Sequence, residues 1–132
     1  MDWEKSSESL LRDLGALAQV GSVPTYELIH QKHNLEVMLQ CCCAEESTYW
    51  SQPEGSRMCA APFFFERAAI LLGKQKAYAE QIQICDRWES IVADFQGQPM
   101  VQAGKVALTH LGPSAASIPT RRLKALEKLQ KG

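Results

Sequence analysis

The sequence predicts an all-α fold: one compact domain, residues 1–132, of five to six helices around a central antiparallel helix hairpin at 62–95. Three observations carry that reading. Two apolar stripes of helical period follow each other in PFFFERAAILLGKQKAYAEQIQICDRWESIVADF, Pro62 to Phe95, with only GKQKAY between them. Shorter stripes of the same spacing stand on both sides of that stretch. At 132 residues, 45% apolar and 22% charged, the chain suits one folded domain with a core of its own.

In the first half of the hairpin Phe65, Ala68/Ala69 and Leu72 fall at i, i+3/i+4 and i+7, with Phe64 and Leu71 beside them. Pro62 suits a first helical turn, where its missing N–H would have had no partner. Ala68 and Ala69, small between large residues, let a second helix approach and are expected to face the helix of Cys85 and Trp88. In the second half Ile84, Cys85, Trp88, Ile91, Val92 and Phe95 share one face. Glu80, Gln83, Asp86, Arg87 and Ser90 take the other. Gly73, followed by Lys74 and Lys76, marks the stop between the helices. A link this short makes them antiparallel neighbours.

The run A-A-x-x-L-x-x-x-x-x-Y-x-x-x-I-x-x-C-x-x-W, Ala68 to Trp88, resembles one tetratricopeptide-type helix hairpin. Leu72, Tyr78, Ile82 and Cys85 match that pattern in spacing and bulk. Gln81 and Trp88 stand where the family usually has small residues, and Lys76 replaces its usual link glycine. The resemblance covers about a quarter of the chain, with no second copy, whereas a solenoid needs about three. It implies a hairpin geometry and a peptide- or protein-binding role.

The remaining elements follow in order. Leu10, Leu14 and Leu17, with Leu11 and Ala18, predict a helix over 9–19 that Gly21 ends, with Trp3 one step back on the same face. Pro24 suits a further helix start. Tyr26–Cys43 reads two ways. Leu28, Ile29, Leu35, Leu39 and Cys42 fit a helix, while Leu35, Val37, Leu39, Cys41 and Cys43 alternate as a strand would. Helix is preferred because no other strand is in view to complete a sheet. Residues 47–61, STYWSQPEGSRMCAA, read as an internal loop. Met100, Ala103, Ala107 and Leu111 predict a short helix that Gly112-Pro113 ends. Residues 113–118 read as a linker, and Pro119 opens a last helix carrying Leu123, Leu126 and Leu129.

A net charge of −1 provides no global field for nucleic acid or a membrane surface. No apolar run approaches a membrane span, and the polar start MDWEKSSES does not read as a secretory signal. Five cysteines, an odd count with three in a row, read as reduced thiols and point to the cytoplasm.

No stretch carries a strong catalytic, metal or phosphate signature. His30 and His33 could share a helix face, but zinc needs further ligands and no CxxC spacing supplies them. Cys41–Cys43 read as small core filler late in their helix, and no orienting group for a Cys–His nucleophile is identifiable. Glu45-Glu46 and Asp86/Glu89 read as solvated acids. GKQKAY lacks the glycines and Ser/Thr of a phosphate loop. No metal and no cofactor are expected.

These residues point to a small non-enzymatic adaptor or inhibitor that binds another protein. Trp3, Tyr49, Trp50 and Phe63 are aromatics beyond what a core needs, and of the adjacent Tyr49 and Trp50 one plugs the core while the other stays exposed. Partner contact is expected at Tyr49, Trp50, Phe63, Arg121 and Arg122. The alternative is a nucleic-acid-associated factor using the basic last helix, with Arg121, Arg122, Lys124, Lys128 and Lys131. A thiol- or zinc-dependent enzyme is the third reading.

Overall fold

A left-handed glycine makes the hairpin near the start of the described chain. Gly21, at φ +62, turns the chain between two short antiparallel strands, β1 (Gln19–Val20) and β2 (Val23–Pro24). The computed structural model describes residues 11–13, 15–104 and 109–131. The expected helix over 9–19 is therefore corrected at its end: 11–13 are helical, but 19–20 belong to the hairpin. Trp3, Leu10, Leu14 and Ala107 lie outside the described residues.

A 3-10 segment (Thr25–Gln31) leads into α1 (Leu35–Ser51), whose N-cap Asn34 accepts a hydrogen bond from the backbone N–H of Val37 at 3.1 Å. The helical reading of 35–43 holds. The 47–61 loop does not: α1 runs on to Ser51, and irregular chain begins only at Gln52. Burial of Tyr49 on the core face of α1 outweighs the turn-forming Ser and Thr around it.

The hairpin stands as expected, with α2 (Pro62–Lys74) and α3 (Tyr78–Gln96). Pro62 takes the first helical turn. The link differs in detail. Gly73 is still helical, and Lys76, at φ +60, takes the left-handed position that the sequence suggested for a glycine. Ala77 N–H then returns to the Leu72 carbonyl at 2.9 Å. Gly73 has a different use: a Cβ there would lie 2.9 Å from the Gln81 amide nitrogen. The missing side chain on α2 makes room for the large residue on α3.

A single turn, α4 (Pro99–Gln102), and a 3-10 turn (Thr109–Leu111) replace the continuous helix expected over 100–111. The last helix, α5, spans Pro113–Lys131, so 113–118 is no linker and Pro119 lies inside a helix rather than opening one. Ala115 and Ile118 are buried, and that packing holds the first turns in place despite the proline.

The core is centred on α2, which packs against α1, α3 and α5, while α3 and α5 pack on each other. Phe64, Phe65, Ala68, Ala69 and Leu72 of α2 are buried together with Met38, Cys41, Cys42, Tyr49, Ile84, Cys85, Trp88, Ile91, Phe95 and Ile118. The rings of Phe65 and Trp88 meet at 5.3 Å across the hairpin. Polar ties close the outer faces: Arg87 to Glu46, Arg122 to Asp86 and Ser117 to Glu66. No helix among the described residues is long and apolar enough to cross a membrane.

Candidate functional site

The last turn of α1 carries two aromatics with opposite fates. Tyr49 is buried, at 1% exposure, and Trp50 is exposed, at 41%. On a helix adjacent residues diverge by about 100°, so one ring enters the core and the next faces water. Tyr49 is thus a core residue rather than a surplus aromatic. The two rings meet edge to face, with centroids 5.0 Å apart. Trp50, the more exposed of the pair, is the one left available for contact.

Arg57, from the loop after α1, completes the surface. Its guanidinium lies 5.0 Å from the Trp50 ring centroid and 5.8 Å from that of Tyr49. It pairs with Asp94 of α3 at 3.1 Å and donates through Nε to the Gln52 carbonyl at 3.1 Å. The Tyr49 hydroxyl donates to the same Asp94 carboxylate at 2.7 Å. Burial, then the bond to Asp94, hold that hydroxyl well above its ordinary range, so it serves as a neutral donor.

Two buried glutamines fix the loop. Gln98 accepts from the Arg57 N–H at 2.6 Å and donates to the Arg57 carbonyl at 2.8 Å, as a paired strand would. Gln52 donates to the Thr48 carbonyl at 3.2 Å and accepts from the Met58 N–H at 2.9 Å. Met58 itself is exposed beside them. Arg57 and Met58 therefore stand on a backbone that is already tied down, and Trp50 lies against the Arg57 guanidinium.

Phe63 is half-buried, and its ring meets Phe64 at 5.3 Å rather than joining this surface. Arg121 and Arg122 lie on α5 and do not act as a pair. Arg122 is bonded to Asp86 at 2.6 Å, while Arg121 is drawn inward beside the hairpin turn. Arg57, Gln52, Gln98 and Asp94 had no sequence signal: each acts through partners that only the fold brings close.

The residues weighed for catalysis are arranged as follows. The triplet lies in the middle of α1, not late in it, with Cys41 and Cys42 buried and Cys43 exposed. Burial, with the nearby Glu45 charge, pushes Cys41 up to about 11. Burial pushes Cys42 further up, and Cys85 to about 11. Such thiols are poor nucleophiles at neutral pH. Glu45 is buried rather than solvated, and both its oxygens are occupied, by the Thr25 hydroxyl at 3.0 Å and the Ala61 N–H at 2.8 Å. His30 and His33 are exposed, and His33 lies 3.4 Å from Arg67. Among the described residues no group of three or more His, Cys, Asp or Glu side chains is placed to hold a metal ion.

No family model matches the chain, and no curated protein or solved structure matches it either.

Proposed function

We propose that the protein is a small non-enzymatic helical adaptor or inhibitor that binds another protein through the Trp50–Arg57 surface. The observation that carries this reading is an exposed tryptophan at the end of α1, packed against Arg57, whose loop backbone is fixed by Gln52 and Gln98. Trp and Arg are residue types enriched at interfaces. A pre-ordered surface loses little conformational freedom on association, so more of the contact energy appears as affinity. The partner is a protein offering an apolar pocket for the Trp50 ring and an acceptor near Arg57. The resemblance of α2–α3 to a tetratricopeptide-type hairpin supports a protein-binding role. Five cysteines, none paired in a disulfide, support the reducing cytoplasm as its setting.

The test compares proteins retained from native cells by the wild type and by Trp50→Ala, followed by titration of the retained partner at two salt concentrations. Trp50→Ala is expected to lose about 2 kcal/mol of binding. Neutralising Arg121 and Arg122 together is expected to alter mainly the association rate. Unchanged binding by Trp50→Ala, with a steep salt-dependent loss in the arginine variant, would reject the Trp50–Arg57 surface and favour phosphate contacts on α5.

A further inference from the structure

A groove of about 150 Å³ lies where the C-terminal half of α5 meets the turn of the hairpin. Gly73 of α2 and Tyr78 and Gln81 of α3 form one wall, and Arg121, Lys124 and Lys128 of α5 form the other. The three cations stand at i, i+3 and i+7, on one face of the helix. No carboxylate is among the described lining residues.

Arg121 is the unusual member. Ala125, one turn on, is buried, and its small side chain lets α5 settle close to the hairpin. Arg121 is drawn in with it, and its Nε is buried with no hydrogen-bond partner among the described residues. Elsewhere the same atom is satisfied: the Nε of Arg57, Arg67, Arg87 and Arg122 each donates to an oxygen. Arg121 is itself only partly buried, but a buried N–H without an acceptor is costly and calls for an explanation such as an ion or ligand bound at that side chain.

We infer that this groove binds the phosphoryl or pyrophosphoryl group of a small phosphate ester. The Arg121 guanidinium, part of the lining, donates to the phosphoryl oxygens, and Lys124 and Lys128, both exposed at the rim, supply charge. Tyr78 and Gln81, also in the lining, carry further donor groups. A groove of about 150 Å³ is smaller than the pockets of drug-sized ligands, so it takes the anionic head and leaves the rest of the molecule outside. The site shares no residue with the Trp50–Arg57 surface, and the inference does not rest on it.

The experiment titrates inorganic pyrophosphate into isotope-labelled full-length protein at low salt, observing backbone amides and arginine Nε–H resonances by NMR. Saturable shifts are expected at Arg121 Nε–H, Gly73 and Gln81, weakening as salt rises. Arg121→Gln is expected to weaken binding by roughly tenfold or more, and Arg122→Gln, whose native partner is Asp86, to leave it unchanged. The double variant Lys124→Gln/Lys128→Gln changes only exposed side chains, and it is expected to weaken binding while the fold is retained. This second arm keeps the test decisive if Arg121→Gln does not fold. Absence of saturable shifts, or an equal loss in Arg122→Gln, overturns the inference. Tighter binding of a short single-stranded RNA, with shifts spread along α5 rather than centred on Arg121, overturns it in favour of an extended nucleic-acid surface.

Discussion

At the scale of single residues, Glu45 is the group through which pH acts on the core. Burial holds its carboxyl above the ordinary value of 4.5, against the opposing hydrogen bonds from Ala61 and Thr25. A folded-state pKa above the unfolded one means that the folded protein holds the proton more tightly. The resulting stabilisation is full below the unfolded value and is lost as pH rises through the folded one. In Glu45→Gln the amide oxygen can still accept from Ala61, and its NH₂ can face the Thr25 hydroxyl. The variant is expected to melt at or above the wild-type temperature at neutral pH, without this loss on going up from pH 4.5. Thermal melts across that range check it, and a variant clearly weaker at neutral pH would show that the carboxylate's bonds outweigh its desolvation. By sequence alone Glu45 reads as a solvated acid, since nothing local announces that Thr25 and the Ala61 backbone converge on it. The cysteine triplet, expected as core filler late in its helix, lies in the middle of α1 and fills the core only through Cys41 and Cys42. A helix turns about 100° per residue, so three neighbours cannot all face one core, and Cys43 is accordingly exposed.

At the scale of elements, the hairpin was readable because apolar period, Pro62 and the short link all agreed. Its turn was not, because Lys76 adopts a conformation that favours glycine. A left-handed non-glycine residue carries a local steric cost, in part offset by the freer unfolded chain that a glycine would bring. Lys76→Gly is therefore expected to stabilise the protein by up to about 1 kcal/mol, measured by denaturant unfolding. No change or a loss would mean that the lysine side chain contributes contacts of its own. The ends of α1 and α5 were misplaced for a related reason. Ser47, Thr48 and Pro119 are local signals to stop or restart a helix, whereas Tyr49, Ala115 and Ile118 are held by distant partners. Periodicity cannot weigh one against the other.

At the scale of the molecule, α5 is part of the core and not an appendage on a linker. Ile118 is fully buried in the cluster around α2. Ile118→Ala is expected to cost about 2–5 kcal/mol and to lower the stability of the whole domain in one cooperative transition. Calorimetry would contradict this if α5 melted separately and left the rest at its wild-type temperature. The all-α class was legible from the sequence, but the placement of its functional surfaces was not. Trp50 could be named from its polar neighbours, yet the Arg57 beside it is held by Asp94 and Gln98, which lie near the far end of α3. Gln98 stands between Gly97 and Pro99 in a stretch that reads only as a break.

The paired bonds from Gln98 to Arg57 have one more consequence. Proteases cut chain that can open into an extended, unpaired strand, and the Arg57–Met58 peptide is held at both its N–H and carbonyl ends by glutamine side chains. Trypsin, which cleaves after arginine, should therefore spare this bond in the native protein although it lies in a loop. Gln98→Ala should be nicked there rapidly while the helices persist by circular dichroism, giving two fragments that separate on a denaturing gel. Equal resistance in both proteins would mean that Gln52 alone guards the bond. Susceptibility at Arg57 thus gauges whether a side chain 41 residues away is in place.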